Sequence, residues 1–496
     1  MALIMAVLLS FQAAAQNAVQ TYVNQLKTTE ELKEAAWGIK AMKLNGEVVA
    51  EYNSGTRLVP ASNMKLITTG VILNELGPDF RFRTRIAYRG EISEGTLNGD
   101  LYIVGGGDPT IGDRDSAAVA LQTTFSEWEK IIREAGISRI EGRIIGDGRY
   151  FDGERQNHSW MLEDCAAGDG TVLTGLSFGG GLQSFNVTPG AKAGDPAKVE
   201  AVFPETPWME WNHSCTTSAS GTAEDLYYAS TELAPVASMT GTVPAGARTR
   251  RITCANSFGA MTCAFYFYRY LENEGIIATE GPADIDMNGR IRDFSAEDEL
   301  PAAELQDKLN YIGETFSKPL VEIVRHTNNA SNNYYAESFL RTLAKEKSGS
   351  AAYASGQETV KAVLRKLGVK GVDDMQIFDG SGLSRKNYVS PDFFVNYLTA
   401  MHLSAAYAPF LSTLPQPGHG TLASRMVNAP AAVKARVYMK SGSMNGVRCY
   451  SGYILPSDGV EDNIIVFSFL TNNTVTAASR MNFIFDKTVS LLAEEN

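Results

Sequence analysis

Four side chains carry the chemistry open to this chain: two serines and two lysines. Ser62 stands three residues before Lys65 in Ser62-Asn63-Met64-Lys65, and this S-x-x-K spacing occurs once in the sequence. Pro60 marks a helix start, and on a helix positions i and i+3 share a face, so Lys65 can reach the Ser62 hydroxyl. A serine needs a base to become a nucleophile, and a buried lysine beside another cation can give up its proton near neutral pH and serve as one. Free N–H groups and the positive dipole end of a first helical turn favour negative charge developing there. Alone, the spacing equally describes a helix start with a solvated lysine.

Ser331-Asn332-Asn333 lies in a polar break between two helical stretches. It offers a hydroxyl and an amide, and it is also good helix-cap chemistry. Lys-Ser-Gly occurs at 347–349 and at 440–442. The first copy ends a helical run, where Gly349 is explained as a C-terminal stop. The second, Lys440-Ser441-Gly442, ends a strand-like run before the hairpin signal Asn445-Gly446. A strand edge there can present a backbone N–H to an oxyanion and a lysine to a carboxylate. Gly442 permits close backbone approach of a ligand, and Ser443 extends the hydroxyl row.

The elements that must position these groups lie at both ends of the chain. Residues 17–34 read as a helix. Strand-like runs at 36–44 and 47–52 flank Asn45-Gly46. The helix after Pro60 carries Met64, Ile67, Val71 and Ile72 at helical spacing and stops at Gly77-Pro78. Ser317 is a candidate N-cap for a helix over PLVEIVRHT, and YYAESFLRTLAKE forms the next. Runs at 435–442, 447–455 and 463–470, separated by Asn445-Gly446 and Asp458-Gly459, read as an antiparallel meander, and 475–494 as a closing helix. One five-stranded antiparallel sheet built from both ends and flanked by helices accounts for all of this. Between about 85 and 302, short β-like runs alternate with Gly-rich turns, as an inserted β-rich region of two nested modules would. VGGGDP at 104–109 lacks the Lys of a phosphate loop and reads as strand-to-turn punctuation.

Composition narrows the classes. The 496 residues are 44 % apolar and carry a net charge of −12, which argues against binding nucleic acid through phosphates. No apolar run reaches the roughly 18 residues of a transmembrane span. No C-x-x-C or H-E-x-x-H is present, so no metal or other cofactor is expected. Residues 2–11 are apolar and lead into Ala13-Ala14-Ala15, which reads as a secretory leader cleaved after Ala15. Export permits disulfides, and among the five cysteines Cys254 and Cys263 are close enough in sequence to pair.

The order S-x-x-K, S-x-N, K-S-G is that of class A β-lactamases and penicillin-binding proteins. With LYIVGGGDPTI, FDGSGLSRKNYVSP (378–391), GTLASR (420–425) and KSGSMNGVRCYSGYI (440–454), the chain resembles the low-molecular-mass class C penicillin-binding proteins, D-alanyl-D-alanine carboxypeptidases/endopeptidases with a large insert between the first two motifs. Ser441 stands where Thr is commoner and keeps the hydroxyl. The stretch 205–225, with Trp208, Trp211 and Cys215, lies outside the segments that carry the resemblance.

The resemblance implies an α+β fold: a serine β-lactamase/transpeptidase-like domain over 16–84 and 303–496, interrupted by the β-rich insert 85–302 and preceded by a leader at 1–15. It implies Ser62 as acylated nucleophile, Lys65 as its base, Ser331 as proton relay, Lys440 as the electropositive neighbour and Asn333 on the substrate amide. Ser441 and Ser443 would hold the terminal carboxylate, beside Gly442, with the N–H groups of Ser62 and Ser443 as oxyanion hole. The substrates would be peptidoglycan stem peptides, the covalent inhibitors β-lactams, and the compartment the periplasm. Two rivals remain at this point. A serine β-lactamase of class A would need a deacylating Glu after the second motif, and Glu154-x-x-Asn157 comes before it. A non-catalytic peptidoglycan-binding protein would need no intact site.

Overall fold

The computed structural model describes residues 17–286, 288–294 and 302–495, so the expected leader at 1–15 lies outside the described residues. Contacts divide the chain into two compact units. Among the described residues, one comprises 17–75, 327–331 and 360–495; the other comprises 76–286, 288–294, 302–326 and 332–359.

The first unit is built on a five-stranded antiparallel sheet in the spatial order Val437–Met444, Val447–Ile454, Ile465–Asn472, Ala36–Lys43, Val48–Tyr52. The last meander strand meets the first strand of the chain, with Ile39 opposite Phe469 and Lys40 opposite Ser468. Turns at Gly46 (φ +93°) and Gly446 (φ +73°) need the left-handed backbone that glycine adopts without a Cβ penalty.

Side chains alternate across the sheet. One face carries Ile39, Ala41, Met439, Phe467 and Phe469, which pack on the helices Ala18–Leu26 and Ala478–Glu494. Phe469 stacks on Phe485 with ring centroids 4.0 Å apart. The other face carries Lys440, Ser451 and Ser468, all buried. Apolar contact alone cannot satisfy such a face; it needs hydrogen-bonding partners, and it receives them from the turn that bears Ser62.

That turn is a short 3-10 segment, Ala61–Asn63, running into the helix Met64–Leu76. The helix is buried from Met64 through Leu73, lysine and threonines included, so it is a central helix rather than an amphipathic one. The helix Pro391–His402 is started by Ser390, whose hydroxyl accepts from the Phe393 N–H at 3.1 Å.

The second unit holds an eight-stranded mixed sheet that includes Arg83–Ser93, Thr96–Val104, Ile144–Asp147, Pro282–Ile285 and Asn310–Phe316. Two three-stranded sheets formed within 182–255 are nested between its strands in sequence. Asn310–Phe316 pairs with Arg83–Ser93. This pairing draws the stretch after 303 into the second contact unit.

Two local expectations fail. Ser317 does not cap the helix Leu320–Ala330; its hydroxyl accepts from Phe82 N–H at 3.0 Å and donates to the Lys318 carbonyl at 2.8 Å. Cys254 and Cys263 do not pair: all five cysteines are free thiols.

Candidate active site

The nucleophile candidate sits on constrained backbone. Ala61, the residue before Ser62, has φ +45°, a left-handed conformation uncommon for a residue with a Cβ. Lys65, one turn on, is wholly buried, and its Nζ lies 3.1 Å from Ser62 Oγ. The same Nζ donates to the Ser381 carbonyl at 2.7 Å. Serine, lysine and carbonyl therefore form a fixed triangle in which the amine is aimed at the hydroxyl.

Ser381 belongs to the turn Asp379-Gly380-Ser381-Gly382, where sequence reasoning finds only structural punctuation. The Asp379 carboxylate accepts from the N–H groups of Gly382 (2.9 Å) and Ser384 (2.5 Å) and from the Asn387 amide (2.7 Å). Thr68 Oγ1 donates to the Gly380 carbonyl at 2.7 Å. Gly382 has φ +85°, and a Cβ there would lie 1.9 Å from the Ala61 carbonyl oxygen. The density of Asp and Gly in this stretch is the available signal. The group that meets Lys65 is a backbone carbonyl, which has no sequence signature.

Ser331 and Lys440 form the second pair. Lys440 is fully buried, and its Nζ donates to Ser331 Oγ at 2.9 Å and to the Ser441 carbonyl at 2.8 Å. Burial, and then the positive charge of Lys65, hold the Lys440 amine well below the ordinary lysine value. Ser331 itself has φ +58°. The segment before it is fastened by Asn328, which donates to Thr413 Oγ1 at 2.9 Å, and by Asn329, which donates to the Thr413 carbonyl at 3.1 Å.

The third segment closes on the first. Gly442 lies so near the Ser62 turn that a Cβ would be 2.8 Å from the Pro60 carbonyl oxygen and 3.1 Å from Asn63 N. Asn63 donates to Ser451 Oγ at 2.7 Å, and Ser451 Oγ donates to Ser468 Oγ at 2.9 Å. The polar face of the sheet thus receives the nucleophile turn. Ser441 Oγ donates to Thr421 Oγ1 at 3.2 Å, and Ser443 Oγ accepts from Arg448.

Ser62, Lys65, Ser331, Lys440, Ser441, Gly442 and Ser443 therefore belong to one compact unit and are linked by these contacts. Asn333 belongs to the other unit, where its amide donates to the Asp169 carbonyl at 3.1 Å. The cap of its helix is Asn332, whose side chain accepts from Tyr335 N–H at 3.0 Å. The other Lys-Ser-Gly ends that helix: Gly349, at φ +79°, donates to the Lys345 carbonyl at 2.9 Å.

The sequence model of the D-Ala-D-Ala carboxypeptidase 3 (S13) family matches residues 19–494. The chain belongs to that family. The resemblance drawn from the motif order is thereby borne out, as is the reading as a serine-type D-Ala-D-Ala carboxypeptidase. Among its relatives, a D-alanyl-D-alanine carboxypeptidase of an Actinomadura species is 30 % identical over 449 residues, covering 86 % of this chain and 76 % of that protein. The D-alanyl-D-alanine carboxypeptidase DacB of Haemophilus influenzae is 24 % identical over 90 % of this chain and 88 % of its own. The crystal structure of penicillin binding protein 4 (dacB) from Haemophilus influenzae superposes with a TM-score of 0.79 at 21 % identity, over 96 % of this chain and 99 % of that one. The same protein is also solved in complex with a β-lactam, with a TM-score of 0.75. The α+β fold expected for this carboxypeptidase family is the fold observed.

Proposed function

We propose that Ser62 is the acylated nucleophile of a DD-peptidase that removes the terminal D-Ala from peptidoglycan stem peptides. The observation that carries this reading is the contact of 3.1 Å between the Ser62 hydroxyl and a fully buried Lys65 amine.

Lys65, as the free amine, takes the Ser62 proton while Oγ attacks the carbonyl carbon of the D-Ala-D-Ala bond. The backbone N–H groups of Ser62 and Ser443 receive the oxyanion. The proton now on Lys65 passes by way of the Ser331 hydroxyl, held by Lys440, to the departing D-Ala nitrogen; the C–N bond breaks, and Lys65 and Ser331 return to their starting states. Water then hydrolyses the Ser62 ester, releasing the shortened peptide and restoring the hydroxyl. Two lysines close to one another favour this chemistry, because each positive charge makes the other amine easier to deprotonate. Ser441 and Ser443 bind the carboxylate of the peptide.

The same acyl transfer serves a peptide cross-link whose donor bond ends in D-Ala, which makes the chain an endopeptidase as well. A β-lactam, with its strained amide, acylates Ser62 in the same way and is released slowly. The substrate lies outside the cytoplasmic membrane, so the chain works after export, in the periplasm. The catalytic part is the discontinuous stretch 16–84 and 303–496, supported by the joining of both chain ends in one sheet; 85–302 is carried as an insert.

Intact-protein mass after brief exposure to a penicillin tests the reading. A stable adduct on the wild type and none on Ser62→Ala is expected. No adduct with the antibiotic intact would leave a binding protein; no adduct with the antibiotic consumed would leave a β-lactamase.

A further inference from the structure

The two three-stranded sheets within 182–255 share a core that includes Phe185, Tyr228, Met239 and Val243. On one side their edge strands, Lys198–Phe203 and Glu210–Ser218, are stitched where they begin and end: the Ala197 N–H donates to the Cys215 carbonyl at 2.9 Å, and Pro196 bridges Thr216. On the other side the edges are Asp225–Ser230 and Arg250–Ala255, and among the described residues no backbone bridge joins them. Side chains hold them instead. Tyr228 Oη donates to the Ala255 carbonyl at 3.0 Å, and Arg250 pairs with Glu224 at 2.8 Å.

A cavity of about 400 Å³ lies between these two edges, walled by the consecutive residues 224–228 and 252–254. Side chains of a strand alternate between its faces, so an unbroken run along a wall means that the strand presents its edge, with its unpaired N–H and C=O groups. Tyr228, Met239 and Cys254 are buried and make the floor apolar. The helix Leu162–Ala167 borders the groove and adds Glu163. Glu163, Glu224 and Asp225 are exposed, and no lysine or arginine lines the groove. Among the described residues Glu163 and Asp225 make no ion pair. The groove is therefore an open template for a strand, apolar below and negative at its rim.

We propose that this groove binds an extended polypeptide segment of a partner protein, with apolar and basic side chains in alternation, added as a strand to the edge Asp225–Ser230. The main chain of the segment pairs with the edge, its apolar side chains meet the floor, and its lysines or arginines meet Glu163 and Asp225. At about 3.3 Å per residue, the wall takes roughly five residues of such a segment. Charge complementarity decides the sign: an acidic segment would set like charges against each other. A saccharide has no row of N–H and C=O groups to match the edge. Binding here involves no covalent step and does not depend on acyl transfer by Ser62.

The test is fluorescence anisotropy of a labelled, end-capped peptide of alternating Val and Lys, titrated with the full chain. Two control peptides carry Glu in place of Lys, or N-methyl groups on alternate residues that remove main-chain donors and keep the side chains. The Val-Lys peptide should bind at least about tenfold more tightly than either control. Joint replacement Glu163→Gln and Asp225→Asn should weaken it about tenfold at low salt. The same double variant should keep the wild-type melting temperature and the wild-type rate of penicillin acylation. Amide hydrogen exchange of the complex should show new protection within 225–228. The proposal is overturned by no saturable binding up to about 1 mM peptide, by equal affinity for either control, or by unchanged affinity in the double variant. Protection confined to residues outside 224–228 and 252–254 would overturn it as well, since general attraction to an acidic chain would then explain the binding.

Discussion

Lys440 and Ser331 come from segments 109 residues apart, and the amine of one donates to the hydroxyl of the other at 2.9 Å. No carboxylate pairs with the strand-end lysine among the described residues. It is buried against a serine and a backbone carbonyl, with another lysine near enough to lower its proton affinity. The pair is therefore a place where a proton moves easily.

Lys440→Met should slow acylation by a penicillin at least about a hundredfold, because the relay hydroxyl loses its donor. It should also leave the fold as stable as wild type at neutral pH or more so. The sign follows from linkage: the folded-state affinity of Lys440 for its proton is depressed relative to the unfolded chain. Its contribution to stability is therefore complete above the unfolded value of about 10.4 and is lost as pH falls toward the folded one. Across that window the stability of wild type minus Lys440→Met should rise with pH. Urea unfolding of both proteins at pH 7 and pH 9 measures the slope; a difference that falls with pH would contradict the account.

Gly382→Ala probes the turn that presents Ser381. The new Cβ would meet the Ala61 carbonyl oxygen at 1.9 Å, and the backbone there has φ +85°. Both effects push the turn away from the nucleophile. A loss of roughly 2 kcal/mol or more is expected from overpacking and strain together, read as a fall in melting temperature with a parallel loss of β-lactam acylation.

Thr68→Val is the milder probe of the same contact. It deletes the 2.7 Å bond from Thr68 Oγ1 to the Gly380 carbonyl. The cost should be about 1 kcal/mol, the net worth of one such hydrogen bond. The Ser381 carbonyl, one residue on, would lose its alignment with Lys65. Steady-state kinetics should show kcat falling more than KM rises, since the contact orients the base rather than the substrate. Equal effects on both constants would assign Thr68 a purely structural role.

These probes also mark how far the sequence can be read. The sheet is legible because Asn45-Gly46, Asn445-Gly446 and Asp458-Gly459 fix the turn chemistry between its strand-like runs. The Ser62–Lys65 contact is legible because positions i and i+3 share a helix face, and Lys440 because it ends a strand-like run just before a hairpin turn. The Ser381 carbonyl is not, since any residue type provides one. Asn63 gives no signal of its role because its partner Ser451 lies 388 positions away. Capping chemistry in the sequence points to Ser331-Asn332-Asn333 together, and the structure selects Asn332; adjacent asparagines are interchangeable by type, and only backbone geometry separates them. Ser317 has the chemistry of a cap and instead secures Phe82, a partner set by the sheet pairing of Asn310–Phe316 with Arg83–Ser93. Local chemistry is readable. Contacts that depend on tertiary register are not.

Asp108, in the Gly-rich turn after the strand Thr96–Val104, is 6 % exposed and carries a carboxyl pushed up to about 6. Burial is the main cause, partly offset by hydrogen bonds from the Thr110 hydroxyl at 2.7 Å and the Thr110 N–H at 2.9 Å. Its folded value lies above the unfolded one, so the folded state binds the proton more tightly. The stability it lends is full below the unfolded value of about 3.9 and is lost as pH rises through about 6. The gap between those two values corresponds to roughly 3 kcal/mol at most. Asn in its place keeps an acceptor for both Thr110 donors and never ionises. Asp108→Asn should therefore raise the melting temperature at pH 7.5 and flatten the decline in stability between pH 4 and pH 6, with acylation of Ser62 by a penicillin unchanged. Denaturant midpoints of both proteins across that range decide it: parallel pH profiles would mean that the carboxylate is stabilised by something beyond Thr110.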